Sequence, residues 1–167
     1  EHYMYYGSAW DGLYVVKLNP ATGLAAATGD QGHLIVRRGM TNGVYNGNLE
    51  APEIVYHEEQ KKYYLFVSYD WIDTKYNVRV FRSDSPEGPF VDWNGELATA
   101  ASDHADQLVL GPYAFKGHAG WQGIAHCSVF QDGQGQYFMA TQGRPAVDRF
   151  YMVMHVRKMF WADNGWP

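Results

Sequence analysis

One carboxylate stands out by its setting. In Gly47-Asn48-Leu49-Glu50-Ala51-Pro52-Glu53-Ile54-Val55-Tyr56-His57 the first half is polar and turn-forming, the second half is a short β-type run, and Glu50 sits at the join. Pro52 cannot donate to a sheet ladder, so it marks the first position of a strand or an edge. A carboxyl held at the end of a sheet is well mounted for general acid work, because rigid elements position a group better than loops do. Taken alone, such a Glu is ordinarily a solvated loop side chain. His126 has a comparable address, opening the run Ala125-His126-Cys127-Ser128-Val129-Phe130. Trp10, Asp11, Asp70, Trp71 and Arg144 fall in loops, where aromatic faces can stack on flat ligands or sugar rings.

The elements that must position these residues read as strands. Tyr3–Ser8 and Leu13–Leu18 flank Ala9-Trp10-Asp11-Gly12, and Asp-Gly between two β-type runs signals a hairpin. Another strand is predicted over His33–Arg38, and Gly39–Asn48 is a polar loop leading to Glu50. Strands follow at Glu53–His57, Tyr63–Tyr69 and Tyr76–Ser83, with a short fourth at Phe90–Trp93. Asn94–Gly123 reads as one long loop, and connections of that length are usually functional or disordered. Ala125–Phe130, Gln136–Gln142 and Phe150–Trp161 complete the set. No window has helical periodicity, so the chain is expected to be all-β.

An internal repeat organises these strands. A shift of 74 residues lays Ala51–Tyr56 on Ala125–Phe130 and, without a gap, Tyr63–Phe66 on Tyr137–Ala140. A shift of 60 lays Tyr3–Ser8 on Tyr63–Ser68. Four-stranded units repeating at this scale predict propeller blades, here at about 1–40, 50–95 and 123–167 of a single domain, 1–167. On this reading the first blade lacks its opening strand and the third its last, and three blades do not close a ring. In an up-and-down blade the start of strand one and the loop between strands two and three share a face. Glu50, His126, Trp10, Asp11, Asp70, Trp71 and Arg144 would then ring one end of a central channel.

Composition narrows the partners. The 167 residues suffice for one domain with a real core. The net charge of −5 and the lack of a basic stripe argue against nucleic acid and favour a neutral ligand. Thirteen Tyr and six Trp make the chain aromatic-rich. A single cysteine, Cys127, allows no internal disulfide and no cysteine-based zinc site, and it reads as a small buried apolar residue. No apolar run approaches the roughly 18 residues of a membrane span, so no membrane partner is expected. The chain begins without an initiator Met or a signal sequence and is read as a piece of a longer protein.

Several long motifs carry a resemblance. Asn48-Leu49-Glu50-Ala51-Pro52, Tyr64–Asp70, Tyr76-Asn77-Val78-Arg79-Val80 with Arg82-Ser83, Gly123–Phe130, His155–Met159 and Gly165-Trp166-Pro167 resemble glycoside hydrolase family 43, and within it the endo-1,5-α-L-arabinanases. The resemblance spans nearly the whole chain. It implies a five-bladed β-propeller, of which this chain supplies about three blades, and hydrolysis of α-1,5-L-arabinofuranosidic bonds with inversion. It implies Glu50 as general acid and His126 as support for a metal, calcium, held largely through waters. It implies arabinan or an arabino-oligosaccharide as substrate, the remaining segments of the same propeller as partners, and a secreted or cell-envelope (periplasmic) location. The family's general base and its pKa-modulating residue are aspartates opening two earlier blades. No Asp here matches either, and both positions fall before Glu1.

The chemistry explains why those residue types are needed. An inverting glycosidase uses one protonated carboxyl to donate to the leaving oxygen. An ionised carboxyl activates water on the opposite ring face, roughly 6.5–9.5 Å away. The acid's pKa must be raised, by a nearby like charge or by burial. One glutamate does not meet these needs, so the chain alone is expected to be inactive. Trp10 resembles a family position lining the sugar groove, or packs on its own blade. Trp71 has a similar address. Arg144 either bonds substrate hydroxyls or pairs with a loop carboxylate. His104 and His118 have no recognised partner. Two alternatives stand beside the arabinanase reading: another family 43 activity, arabinofuranosidase or xylosidase, and a non-catalytic arabinan-binding propeller.

Overall fold

The computed structural model describes residues 1–7, 9–100 and 107–167; His104 lies outside them. Among the described residues there are strands and no helix. In chain order they are β1 (His2–Tyr6), β2 (Leu13–Leu18), β3 (His33–Val36), β4 (Met40–Thr41), β5 (Val44–Tyr45), β6 (Leu49–His57) and β7 (Lys62–Tyr69). They continue as β8 (Asn77–Ser83), β9 (Gln107–Leu110), β10 (Tyr113–Phe115), β11 (His118–Gln122), β12 (Ser128–Gln131), β13 (Tyr137–Pro145) and β14 (Val153–Met159).

Three antiparallel sheets dominate. The first has the order β1-β2-β3, with the Trp10-Asp11-Gly12 turn closing the expected hairpin. The middle sheet has the order β6-β7-β8-β9. In the third, β13 lies between β12 and β14, and its far end also pairs with β11 of the β10–β11 hairpin. The segment 94–123, expected as one loop and as lying outside the 50–95 blade, therefore contributes three strands. Its β9 is the middle sheet's fourth strand, whereas Val91 makes only isolated bridges to Arg82 and Leu97. The runs are short and broken by Gly111, Gly117 and Gly120, so periodicity had little length in which to register.

The middle sheet is covered on both faces, and its sequence says why. β7 reads Lys-Tyr-Tyr-Leu-Phe-Val-Ser-Tyr, an almost unbroken apolar run of the kind a doubly buried strand needs. Successive side chains point to opposite faces. Leu65, Val67 and Tyr69 join Leu13, Val15, Ile35 and Val36 of the first sheet. Tyr64 and Phe66, with Val78 and Val80 of β8, join Ala125, Cys127, Val129, Met139 and Met159 of the third. The sheets thus stack face to face like blades. Trp166 adds a clasp: it is buried against Tyr64, whose hydroxyl donates to the Gly165 carbonyl, and Arg82 lies over its ring at 4.4 Å.

The strand pairing corrects the gapless repeat by one residue. Glu53 faces Phe66 and Tyr56 faces Tyr63 in the middle sheet, while Ser128 faces Ala140 and Gln131 faces Tyr137 in the third. Six residues separate Tyr56 from Tyr63, but five separate Gln131 from Tyr137. The shorter turn is tightened by Asp132, whose Oδ1 accepts from the Gln134 and Gln136 N–H groups. The structural counterpart of Glu50 is therefore Ala125, and that of His126 is Ala51. Backbone geometry agrees, with φ of +53° at Ala51 and +52° at His126.

Candidate active site

Glu50 stands at the start of β6, where the ladder is irregular. It pairs with Ser68, but the next regular pair is Glu53 with Phe66, so Ala51 and Pro52 form a bulge. A bulge re-aims the side chain beside it. The Glu50 carboxyl lines an open cavity of about 150 Å³ with Ala9, Gly47, Asn48, Leu49, Asp70, Trp71 and Ile72. The Ala9 loop reaches this cavity because residue 47 is glycine: a Cβ there would lie 2.6 Å from the Ala9 carbonyl oxygen. Ala9 then donates its N–H to the Leu49 carbonyl at 3.0 Å.

The cavity holds two carboxylates in different circumstances. Asp70 is committed, accepting from Arg38 and from Asn77, each at 2.8 Å. Glu50 accepts at Oε1 from the Tyr76 hydroxyl at 2.6 Å. Tyr76 is fully buried. Its phenol is pushed well above the ordinary tyrosine range, first by burial and then by its bond to Glu50, so it stays protonated and donates. Ser68 stands directly across the ladder from Glu50.

His126 is tied into the same cluster through its backbone, its N–H donating to Ser68 Oγ at 2.9 Å. Its side chain is exposed and lines a separate cavity of about 360 Å³ with Ser128, Ala140, Thr141, Gln142 and Met152–Met154. Ala9, Ala51, Asp70 and His126, all in this region, hold positive φ without being glycine. Such conformations persist only where the surroundings over-determine them, and they gather at functional sites.

The other expected residues divide. Trp71 lines the Glu50 cavity and is 58% exposed, free to offer a ring face. Trp10 is 83% exposed on the adjoining turn, outside the cavity lining. Arg144 is occupied, donating to the Arg149 carbonyl at 2.6 Å and lying 3.9 Å from Asp73. His118 accepts the Gly120 N–H at 2.8 Å and stacks on Phe115. Cys127 is buried, and burial pushes its thiol up to about 12.

The donor set around His126 does not make a calcium cage. Calcium takes six to eight oxygen ligands. His126 offers nitrogen, its cavity neighbours Thr141 and Gln142 offer a hydroxyl and an amide, and no carboxylate lines that cavity. Among the described residues no three His, Cys, Asp or Glu side chains converge on a common point.

Tyr76 and Ser68 were not anticipated from the sequence. The signal was present in the topology: Ser68 faces Glu50 across an antiparallel hairpin, and Tyr76 precedes β8 at the end of the sheet where β6 begins.

Antiparallel sheets stacked face to face like blades, with a glutamate mounted at the mouth of one opening strand, are the build of a propeller hydrolase. The chain belongs to the glycosyl hydrolases family 43, whose family model matches residues 1–167. It is 31% identical to an extracellular endo-α-(1→5)-L-arabinanase of Thermotoga petrophila, over 98% of this chain and 37% of that protein. With the extracellular endo-α-(1→5)-L-arabinanase 1 of Bacillus subtilis it shares 33% identity, over 97% of this chain and 45% of that protein. The crystal structure of the Thermotoga petrophila endo-1,5-α-L-arabinanase superposes with a TM-score of 0.82 at 26% identity, covering 98% of this chain and 39% of that one. The Cellvibrio cellulosa α-L-arabinanase complexed with arabinohexaose gives 0.80 at 25% identity, covering 99% and 51%. The chain thus spans about half or less of the length of these relatives, and it forms part of a five-bladed β-propeller.

Proposed function

We propose that the whole protein cleaves α-1,5-L-arabinofuranosidic bonds of arabinan or its oligosaccharides with inversion, and that Glu50 is the general acid. The observation that carries this reading is the Glu50 carboxyl, aimed by a bulge into an open cavity beside the exposed Trp71 ring. The Glu50 proton moves to the glycosidic oxygen as the bond from that oxygen to the anomeric carbon breaks. Water attacks that carbon from the opposite face and loses its proton to a base carboxylate. That base and the modulating aspartate are assigned to a segment outside this chain, because Asp70, the other carboxylate of the cavity, is committed to Arg38 and Asn77. Trp71 and Trp10 would supply ring faces to the sugar, and Arg144, one nitrogen of which is held by the Arg149 carbonyl, would offer its remaining N–H groups to substrate hydroxyls. A calcium ion near His126 enters the proposal only as one held through waters. The relatives named extracellular support a secreted location.

The test is Glu50→Gln in the whole protein, assayed on linear 1,5-arabinan and on an aryl arabinoside with a good leaving group. General acid help is worth about 10²–10⁴ in rate. The loss is expected on arabinan and much less on the aryl substrate, which needs little protonation. Equal losses on the two substrates would remove the acid role from Glu50. For the ion, chelation should lower the activity of the wild type and leave His126→Ala unaffected.

A further inference from the structure

The geometry points to Tyr76 as the residue that positions the Glu50 carboxyl and selects which of its oxygens delivers the proton. This rests on the general-acid reading of Glu50. A carboxylic acid has one hydroxyl oxygen and one carbonyl oxygen. With Oε1 accepting the Tyr76 hydroxyl at 2.6 Å, the acid proton resides on Oε2. Tyr76 is held in place behind Glu50 by its burial in one apolar cluster with Phe66, Val78 and Cys127. Tyr76 has no exposed surface, so water does not compete for the bond.

The charged groups around the pair leave this arrangement undisturbed. Asp70 faces Glu50 in the cavity with its charge held by Arg38 and Asn77. Cys127 faces Tyr76 from the third sheet and remains a neutral thiol. Tyr76 is therefore the group whose removal changes the acid most directly. A phenol donor stabilises the negative charge that grows on the carboxyl as its proton leaves, so taking it away makes that transfer harder and frees the carboxyl to rotate.

The experiment is Tyr76→Phe, Glu50→Gln and their combination in the whole protein, with kcat/KM on linear arabinan followed against pH and kcat compared on arabinan and an aryl arabinoside. Tyr76→Phe is expected to lower kcat on arabinan about 10- to 100-fold, the worth of a hydrogen bond to a charged group, with KM nearly unchanged. The loss should be smaller on the aryl substrate, and the alkaline limb of the pH profile should move to higher pH. In the Glu50→Gln background the substitution should cost almost nothing further. Replacing Tyr76 by 3-fluorotyrosine, a stronger donor of nearly the same shape, should move the limb to lower pH, and it carries the test if Tyr76→Phe folds poorly. An alkaline limb unmoved in both variants, with Glu50→Gln still selectively impaired on arabinan, overturns the role of Tyr76 and leaves that of Glu50. Equal losses of Glu50→Gln on the two substrates overturn both.

Discussion

At the scale of single residues, burial governs which titratable groups answer to pH. His57 packs among the rings of Tyr64, Tyr137 and Trp161, and its Nδ1 accepts the Gln60 N–H at 3.2 Å. Burial lowers its pKa below the ordinary 6.5, with Glu59 opposing the shift more weakly. The sign follows: as pH falls through 6.5 the unfolded chain takes up a proton that the folded chain refuses. The contribution of His57 to stability is thus intact above 6.5 and is lost as the pH drops further. Urea midpoints of the whole protein at pH 7.5 and 5.5 should differ more for the wild type than for His57→Gln. An identical pH dependence would assign the acid sensitivity elsewhere. Residue-scale chemistry was only partly legible in the sequence. Glu50 announced itself through Pro52 and the change from turn to strand. Tyr76 did not, because a tyrosine opening a strand looks like any of the 13 in the chain, and only the pairing of β6 with β7 and of β7 with β8 brings it to Glu50.

At the scale of elements, β7 is the strand on which the others depend. Phe66 is fully buried within the core shared by the middle and third sheets. Phe66→Ala is expected to cost the whole protein about 3–5 kcal/mol, measured by urea unfolding. A cost under about 1 kcal/mol, typical of an exposed site, would mean that the two sheets do not pack as described. The alternating and continuous apolar runs made β1, β2, β6, β7 and β8 readable in advance, since each has a face to bury. The strands β9, β10 and β11 were not readable, because three to five residues between glycines carry no period. The repeat itself was visible, but its one-residue offset was not. The gap lies in a turn, where side-chain identity says little about length until the Asp132 bonds are seen.

At the scale of the whole molecule, the third sheet carries an apolar outer face, with Phe130, Met154 and Val156 each at least 45% exposed. The Glu50 cavity, for its part, offers no uncommitted second carboxylate among the described residues. Residues 1–167 by themselves are therefore expected to associate and to release no sugar from linear arabinan. Sedimentation and a reducing-sugar assay check the two halves of that statement. Turnover by the purified chain alone would mean that it holds its own base.

The burial of the middle sheet from both sides has a consequence in time. Most amides of β7 are bonded to β6 or β8 and roofed by the flanking sheets, so no small opening brings water to them. In heavy water, β4 and β5 and the free edge of β14 should take up deuterium first. Tyr64 to Val67 should keep their protons until the structure opens as a whole, which makes the exchange of those four amides a clock for global unfolding.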